Sequence, residues 1–253
     1  MSCRNYFWFI IILFSSCAAL LQRSDFKRGL EFYREGDFLR ASEHFNSYYF
    51  EHPQSETTLY YLYDCYQRLN QPERGLAILQ QFVKIGSNDE NVYLNLFFYY
   101  HKNHQYRDLY KLLIDLNPAP RERIDKQCSL TRQLYAELIY GASEKLKRYS
   151  DPMVFAVGEG YLTLFPDSAF YKNDTITQAN LIILLDHFVK PIYPRKFFKM
   201  NNLTNGSFLY LPYMRLVDLG ILDFNPDLNP NAEAAISMVV MAVENLRKKG
   251  LIE

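Results

Sequence analysis

The chain lacks the residue patterns that most often mark a chemical site. Its four cysteines, Cys3, Cys17, Cys65 and Cys128, form no CxxC pair, which argues against a disulfide framework and against a thiolate zinc site. Neither sign of charge is in excess: 28 basic and 28 acidic residues give a formal net charge of zero. That balance gives no electrostatic footprint for nucleic acid and no disordered acidic tail. No nucleophile elbow, phosphate loop or metalloprotease helix occurs, so neither an enzyme nor a cofactor or metal is expected. Tryptophan occurs once. Against these absences stand 21 Tyr and 19 Phe in a chain that is 16% aromatic. Tyrosine joins an apolar ring to a polar tip, so many half-buried positions are expected. The 253 residues suffice for one or two domains with a sizeable core.

Residues 1–21 read as a segment apart. Tyr6–Phe14 is an apolar run of nine residues followed by Ser15-Ser16-Cys17-Ala18-Ala19, a short core and small residues that suit an export signal and fall short of a comfortable membrane span. Phe14-Ser15-Ser16-Cys17 resembles a bacterial lipobox. That resemblance implies cleavage before Cys17 and acylation of Cys17, where acyl chains supply about 0.8 kcal/mol per buried methylene to hold a soluble body at a membrane. Ala18 after the cysteine then implies the outer membrane of a diderm cell, facing the periplasm. An uncleaved anchor and a plain secretory signal are the alternatives.

From Gln22 to Pro118 the sequence lies over itself when shifted by 34 residues. Phe32, Tyr66 and Tyr100 share one position; Phe45, Leu79 and Leu113 share another; Phe38, Pro72 and Tyr106 follow turn segments. A fixed period of about 34 residues with a central turn marks stacked helix–turn–helix units. Gly29, Phe32, Gly36, Ala41, Phe45 and Pro53 of the first window resemble the tetratricopeptide repeat. Gly29 and Ala41 would let the two helices of a unit approach, and Pro53 would stop the second. The second window keeps Tyr66, Gly75, Leu79 and Phe82, and ends at Gly86-Ser87-Asn88. Cys65 lies within its helical pattern and reads as a small core residue.

Such arrays present a long surface to a partner. By the family register, the groove side of each first helix carries Phe26, Tyr33 and Arg34; Tyr60, Asp64, Gln67 and Arg68; and Phe98, His101 and Lys102. Arg34, Arg68 and Lys102 share one register position. Either they form a basic ladder flanked by aromatics, suited to an acidic peptide or a free carboxylate, or they are a solvated face beside the turns. His101 and His104 lie three residues apart with no third ligand nearby and read as ordinary turn or surface residues.

Residues 119–150 read as a connector and cap, one long amphipathic helix or two short ones. Ile124, Cys128, Tyr135, Leu138, Ala142 and Leu146 form its apolar stripe, Pro118-Ala119-Pro120 breaks the helix before it, and Gly141 is a candidate break within it. Residues 151–253 contain two related halves, each helix, glycine stop, Pro-Asp loop, polar cap and helix. Phe165-Pro166-Asp167 and Ile176-Thr177-Gln178-Ala179-Asn180 resemble the S-layer homology module, whose last helix opens with Ile-Thr-Arg-Ala-Glu and contacts wall polymers. The Arg and the Glu of that segment are missing here, and the second half, Asn231–Ile236, keeps no Arg either. Pro191–Ser207 carries Arg195, Lys196 and Lys199 among aromatics, which reads as a replacement cationic patch or as a plain loop. Asp223, Asn225, Asp227, Asn229 and Asn231 alternate as calcium ligands can, and serve equally as a helix-capping loop.

The expectation is an all-α chain: a signal or anchor segment (1–21), a tetratricopeptide-like solenoid of about three repeats (22–118), a cap (119–150) and a mostly helical S-layer-homology-like module (151–253). Its expected role is that of a membrane-anchored envelope scaffold holding a protein or peptide in the repeat groove. The alternative is a tether that grips cell-wall glycan through its C-terminal region.

Overall fold

The computed structural model describes residues 25–143 and 148–252. The expected signal segment with Cys17, and Leu146 of the connector stripe, lie outside the described residues. Among the described residues the chain is all-helical, with twelve α-helices and two isolated β-bridges. No helix among them is long and apolar enough to cross a membrane. The chain divides between Asn95 and Leu96 into two compact units.

The first unit contains α1 (residues 25–35), α2 (Phe38–Glu51), α3 (Glu56–Arg68), α4 (Pro72–Lys84) and the start of α5 (Glu90–Lys102). Gly29 does the work expected of a small residue: a Cβ there would lie 2.7 Å from the Phe45 ring. Phe45 is fully buried, and its ring stacks on Tyr61 at 5.0 Å. Ala41, Leu59, Leu62, Cys65 and Phe82 complete the core, each large apolar side chain contributing about 1.5–3 kcal/mol by leaving water. Burial pushes the Cys65 thiol up to about 11, which makes it a packing residue rather than a reactive one. Helix starts are set by Asp37, which accepts from the Arg40 N–H, by Ser55, which accepts from the Thr58 N–H, and by Pro72 in the first turn of α4.

The period of the sequence is present in the backbone. Gly36, Asn70 and His104 all adopt positive φ, at 80°, 53° and 56°, and each stands 34 residues after the last. Each following N–H returns to the position five residues back: Asp37 to Phe32 O, Gln71 to Tyr66 O and Gln105 to Tyr100 O. These are left-handed helix stops of the Schellman kind, satisfying carbonyls that a helix end would orphan.

The second unit holds the end of α5 with α6 (Tyr106–Ile114), α7 (Pro118–Gln127), α8 (Arg132–Ala142), α9 (Pro152–Gly158), α10 (Gln178–Asp186), α11 (Tyr210–Asp218) and α12 (Ile236–Lys248). One expectation for the connector is corrected. Pro118 opens α7, because a proline in the first turn loses only an N–H that has no helical acceptor. Gly141 stands in the last turn of α8, which ends at Ala142, and a Cβ there would stand 2.2 Å from the Tyr106 carbonyl oxygen, so it is also the point at which α8 crosses the start of α6.

A third helix–loop–helix copy precedes the two expected ones. The segments before α8, α10 and α12 pair side by side. The Ile176 N–H donates to Leu130 O, and the Ala234 N–H to Ile176 O. Arg132 N–H donates to Asp174 O as Gln178 N–H donates to Ala232 O, and Gln133 N–H to Lys172 O as Ala179 N–H to Pro230 O. Spacings of 46 and 58 residues relate the three copies throughout. The third junction is made by carboxylates: Leu130 N–H donates to Glu233 Oε1 at 2.8 Å, and Ser237 donates its N–H and hydroxyl to Asp125. Leu130, Ile176 and Ala234 are all buried, so none of these backbone groups has water as an alternative partner.

Gly141→Ala is expected to lower stability by about 3 kcal/mol, as overpacking against backbone does, while Gly206→Ala, with open space around it, should stay within about 0.5 kcal/mol. Glu233→Ala should cost about 1–3 kcal/mol by stranding the Leu130 N–H, and Glu233→Gln, which keeps an acceptor, clearly less. Urea unfolding monitored by circular dichroism measures all four.

Candidate partner-binding surfaces

The groove residues expected in the first two windows fall into three groups. Phe26 is half-buried among the rings of Phe45, Tyr48 and Tyr61, with centroids at 5.6, 5.1 and 6.0 Å, and is engaged in packing. Tyr33, Asp64 and Arg68 form one cluster. The Tyr33 hydroxyl donates to Asp64 Oδ2 at 2.5 Å, Arg68 Nε donates to the same oxygen at 2.7 Å, and the guanidinium lies 4.9 Å over the Phe38 ring. Burial opposes ionisation of Asp64, but the hydrogen bonds from Tyr33 and Arg68 and the charge of Arg68 outweigh it and hold its pKa below the usual carboxylate value. The bond to Asp64 also raises the Tyr33 hydroxyl. Arg34, Tyr60 and Gln67 remain exposed, Tyr60 resting on the buried Phe82 ring at 4.8 Å.

The basic ladder is therefore uneven. Arg34 is exposed, whereas Arg68 is an ion pair with Asp64 one turn away. Phe38 takes part in this cluster and was missed in the sequence, because its register position belongs to the second helix of the window.

In the second unit, Phe98 and Lys102 are exposed on α5, and Phe98 meets Phe97 edge-on at 5.6 Å. His101 turns inward: its Nε2 lies 3.0 Å from Glu137 Oε2, and Glu137 is only 2% exposed. The other Glu137 oxygen accepts from the Gln133 amide. Hydrogen bonding to Glu137 raises the His101 pKa, burial lowers it, and the Glu137 charge adds to the rise, which prevails. Glu137 was legible as the one acid in the apolar run Leu134–Ile139, yet only the packing of α5 against α8 pairs it with His101. His104 bonds the Tyr106 hydroxyl at its turn. Among the described residues no group of three His, Cys, Asp or Glu side chains could hold a metal.

In the C-terminal copies, Thr177 caps α10 and Asn180 closes a reciprocal box with it. The position of Gln178 is occupied by Arg132 in the copy that precedes it and by Ile236 in the one that follows. Arg132 is therefore a cation that reading two halves alone overlooked; the pattern Leu130-Thr131-Arg132, 46 residues before Ile176-Thr177-Gln178, was its signal. Its guanidinium donates to Phe170 O and Thr163 O and lies 4.7 Å over the Phe165 ring. It thereby holds the 163–171 loop, where Phe165 and Tyr171 meet edge-on at 4.9 Å beside a shallow cleft that Asp167 and Asp174 also line.

The chain matches no protein-family model, no curated protein and no solved structure. The alternating loop of the last copy is explained locally. Asn225 Oδ1 accepts from the Asp227 N–H, Asn229 Oδ1 from the Asn231 N–H, and Asp227 Oδ1 from the Asn201 amide. The first two are turn-forming bonds typical of short polar side chains, and the third ties the loop to the 190–203 segment. The polar cap expected for this half is absent: α12 begins after Ala235 with no side-chain cap.

The raised His101 pKa fixes a pH dependence. Its ion pair stabilises the fold fully below the unfolded histidine value of about 6.5, and that stability is lost as pH rises through the higher folded value. Urea midpoints should fall across this window in the wild type and change less in His101→Gln, and an NMR titration of His101 should give a pKa above that of the denatured chain.

Proposed function

We propose that the chain is an envelope scaffold whose N-terminal repeats hold a protein or peptide partner, with Cys17 as the point of lipid attachment. The reading rests on the resemblance of the first two windows to tetratricopeptide repeats and on one observation above the rest. On α1 and α3, the first helices of two consecutive units, Arg34, Tyr60 and Gln67 stand exposed beside the fixed Tyr33–Asp64–Arg68 cluster. A cluster whose charges are already satisfied is a rigid floor, and the exposed Arg34 and Tyr60 beside it can meet a ligand, while Gln67 is hydrogen-bonded to Tyr63. Arg34 favours an acidic group on that ligand, and Tyr60 an apolar neighbour.

A second reading is supported by the C-terminal copies, and it makes the chain a wall tether. The Phe165–Tyr171 ring pair offers sugar a face to stack on, with Asp167 and Asp174 at its rim. Two acids disfavour an anionic polymer, and Arg132 already donates to two carbonyls, so a neutral glycan fits this cleft better than the acidic polymer implied by the S-layer resemblance.

Arg34→Glu/Tyr60→Ser is the informative variant, since it leaves the Asp64–Arg68 pair intact. Co-purification from solubilised envelopes should recover a partner with wild type and lose it at least ten-fold with the variant, at unchanged helicity. Equal recovery would sink the groove reading. Sedimentation with purified wall, unchanged in this variant and lost in Tyr171→Ser, would move the function to the C-terminal copies.

A further inference from the structure

Residues 187–217 contain no acid, in a chain that is otherwise balanced, and carry Lys190, Arg195, Lys196, Lys199 and Arg215. Arg215 is engaged, donating to both oxygens of Asp186 at 2.8 Å and to Ile192 O. The other four are exposed. Between them stand exposed apolar side chains of a kind that soluble surfaces seldom display together: Tyr193 at 79%, Phe197 at 53% and Ile192 at 49%, with Phe208 at 77% just before α11.

The segment is a fixed platform. Pro194, Met200 and Leu203 are buried under it. Its backbone is pinned to α11 and to the 224–227 loop: Ile192 O accepts from Arg215, the Arg195 N–H donates to Asp218, Phe198 O accepts from the Tyr210 hydroxyl, and the Asn201 N–H donates to Pro226 O. The Phe198 ring packs on Phe224 at 4.5 Å. The nearby carboxylates are hydrogen-bonded, Asp186 by Arg215, Asp218 by the Arg195 N–H, and Asp227 by the Asn201 amide. The fold thus holds rings and cations outward, pairs Asp186 with Arg215, and fixes Asp218 and Asp227 in bonds to backbone and amide groups.

We propose that the 190–199 segment is a docking surface for a membrane containing anionic lipid, with Tyr193 and Phe197 entering the interface and Lys190, Arg195, Lys196 and Lys199 meeting phosphate headgroups. Charge complementarity and ring exposure each point to this occupant. A soluble polyanion would satisfy the cations but leave the apolar side chains in water, whereas the bilayer interface takes aromatic rings and basic side chains together. The surface is separate from the repeat groove and does not depend on that reading. Near an anionic surface each Lys or Arg contributes about a five-fold factor, so losing three weakens the docking equilibrium on the order of a hundred-fold, more at low salt.

The test uses the full chain with Trp8→Phe and Phe197→Trp, so that the single indole reports this segment. Vesicles of brominated phosphatidylcholine, alone or equimolar with phosphatidylglycerol, are the probe. Blue-shifted emission and bromine quenching are expected on the anionic vesicles, lost at high salt and in Lys190→Glu/Lys196→Glu/Lys199→Glu. Any attachment through the N-terminal segment is the same in both proteins and cancels from that comparison. Quenching equal on neutral and anionic vesicles, or unchanged in the reversed variant, overturns the proposal. So does an indole that responds to soluble polyphosphate or single-stranded nucleic acid and not to vesicles. Should the reversed variant lose helicity, Ile192→Ser/Tyr193→Ser replaces it, with reduced quenching expected and unchanged quenching again overturning the proposal.

Discussion

Leu130, Ile176 and Ala234 are buried where three chain segments meet; the Ile176 and Ala234 N–H groups donate to Leu130 O and Ile176 O, and the Leu130 N–H donates to the Glu233 carboxylate. An unpaired buried N–H or carbonyl costs about 1–3 kcal/mol, so the three segments must pair together or leave several groups unsatisfied. Helices α8, α10 and α12 all start from this junction, which fixes where each begins and which residues follow it. Arg132, Gln178 and Ile236 hold equivalent places because the ring puts them there. Side chains close what backbone does not: Glu233 reaches the Leu130 N–H, and Asp125 reaches Ser237.

The 34-residue repeats follow a different constraint. Their unit is a hairpin of helices closed by a left-handed residue, and the hairpin tightens wherever a side chain is missing, as at Gly29. Glycine occupies the positive-φ position in the first window, asparagine in the second and histidine in the third. Glycine takes that conformation freely, asparagine tolerates it, and histidine does so at greater cost. The turn geometry is kept while the residue drifts, so the period persists in the backbone as it fades in the sequence.

Charge is used locally in both units. Asp64 binds Arg68 and Tyr33, Glu137 binds His101, and Asp186 binds Arg215. Each pair removes a cation from the set that could meet a partner. Among the cations left exposed are Arg34 on α1, Lys102 on α5 and the four of the 190–199 segment, which lie in a stretch without acids.

The sequence by itself determined the helical class, the 34-residue period, the roles of Gly29 and Cys65, and the polar cap at Thr177. Each of these is a local property: a propensity, a spacing, a missing Cβ or an oxygen beside a free N–H. Tertiary structure alone decided the rest. Gly141 became a crossing point because Tyr106 passes over it, and Arg68 became an ion pair because Tyr33 and Phe38 close around Asp64. The connector became the first of three copies because its backbone pairs with Thr175–Thr177 and Glu233. Such assignments depend on which distant groups compete for one buried donor or acceptor, and that competition is settled only when the segments are packed together.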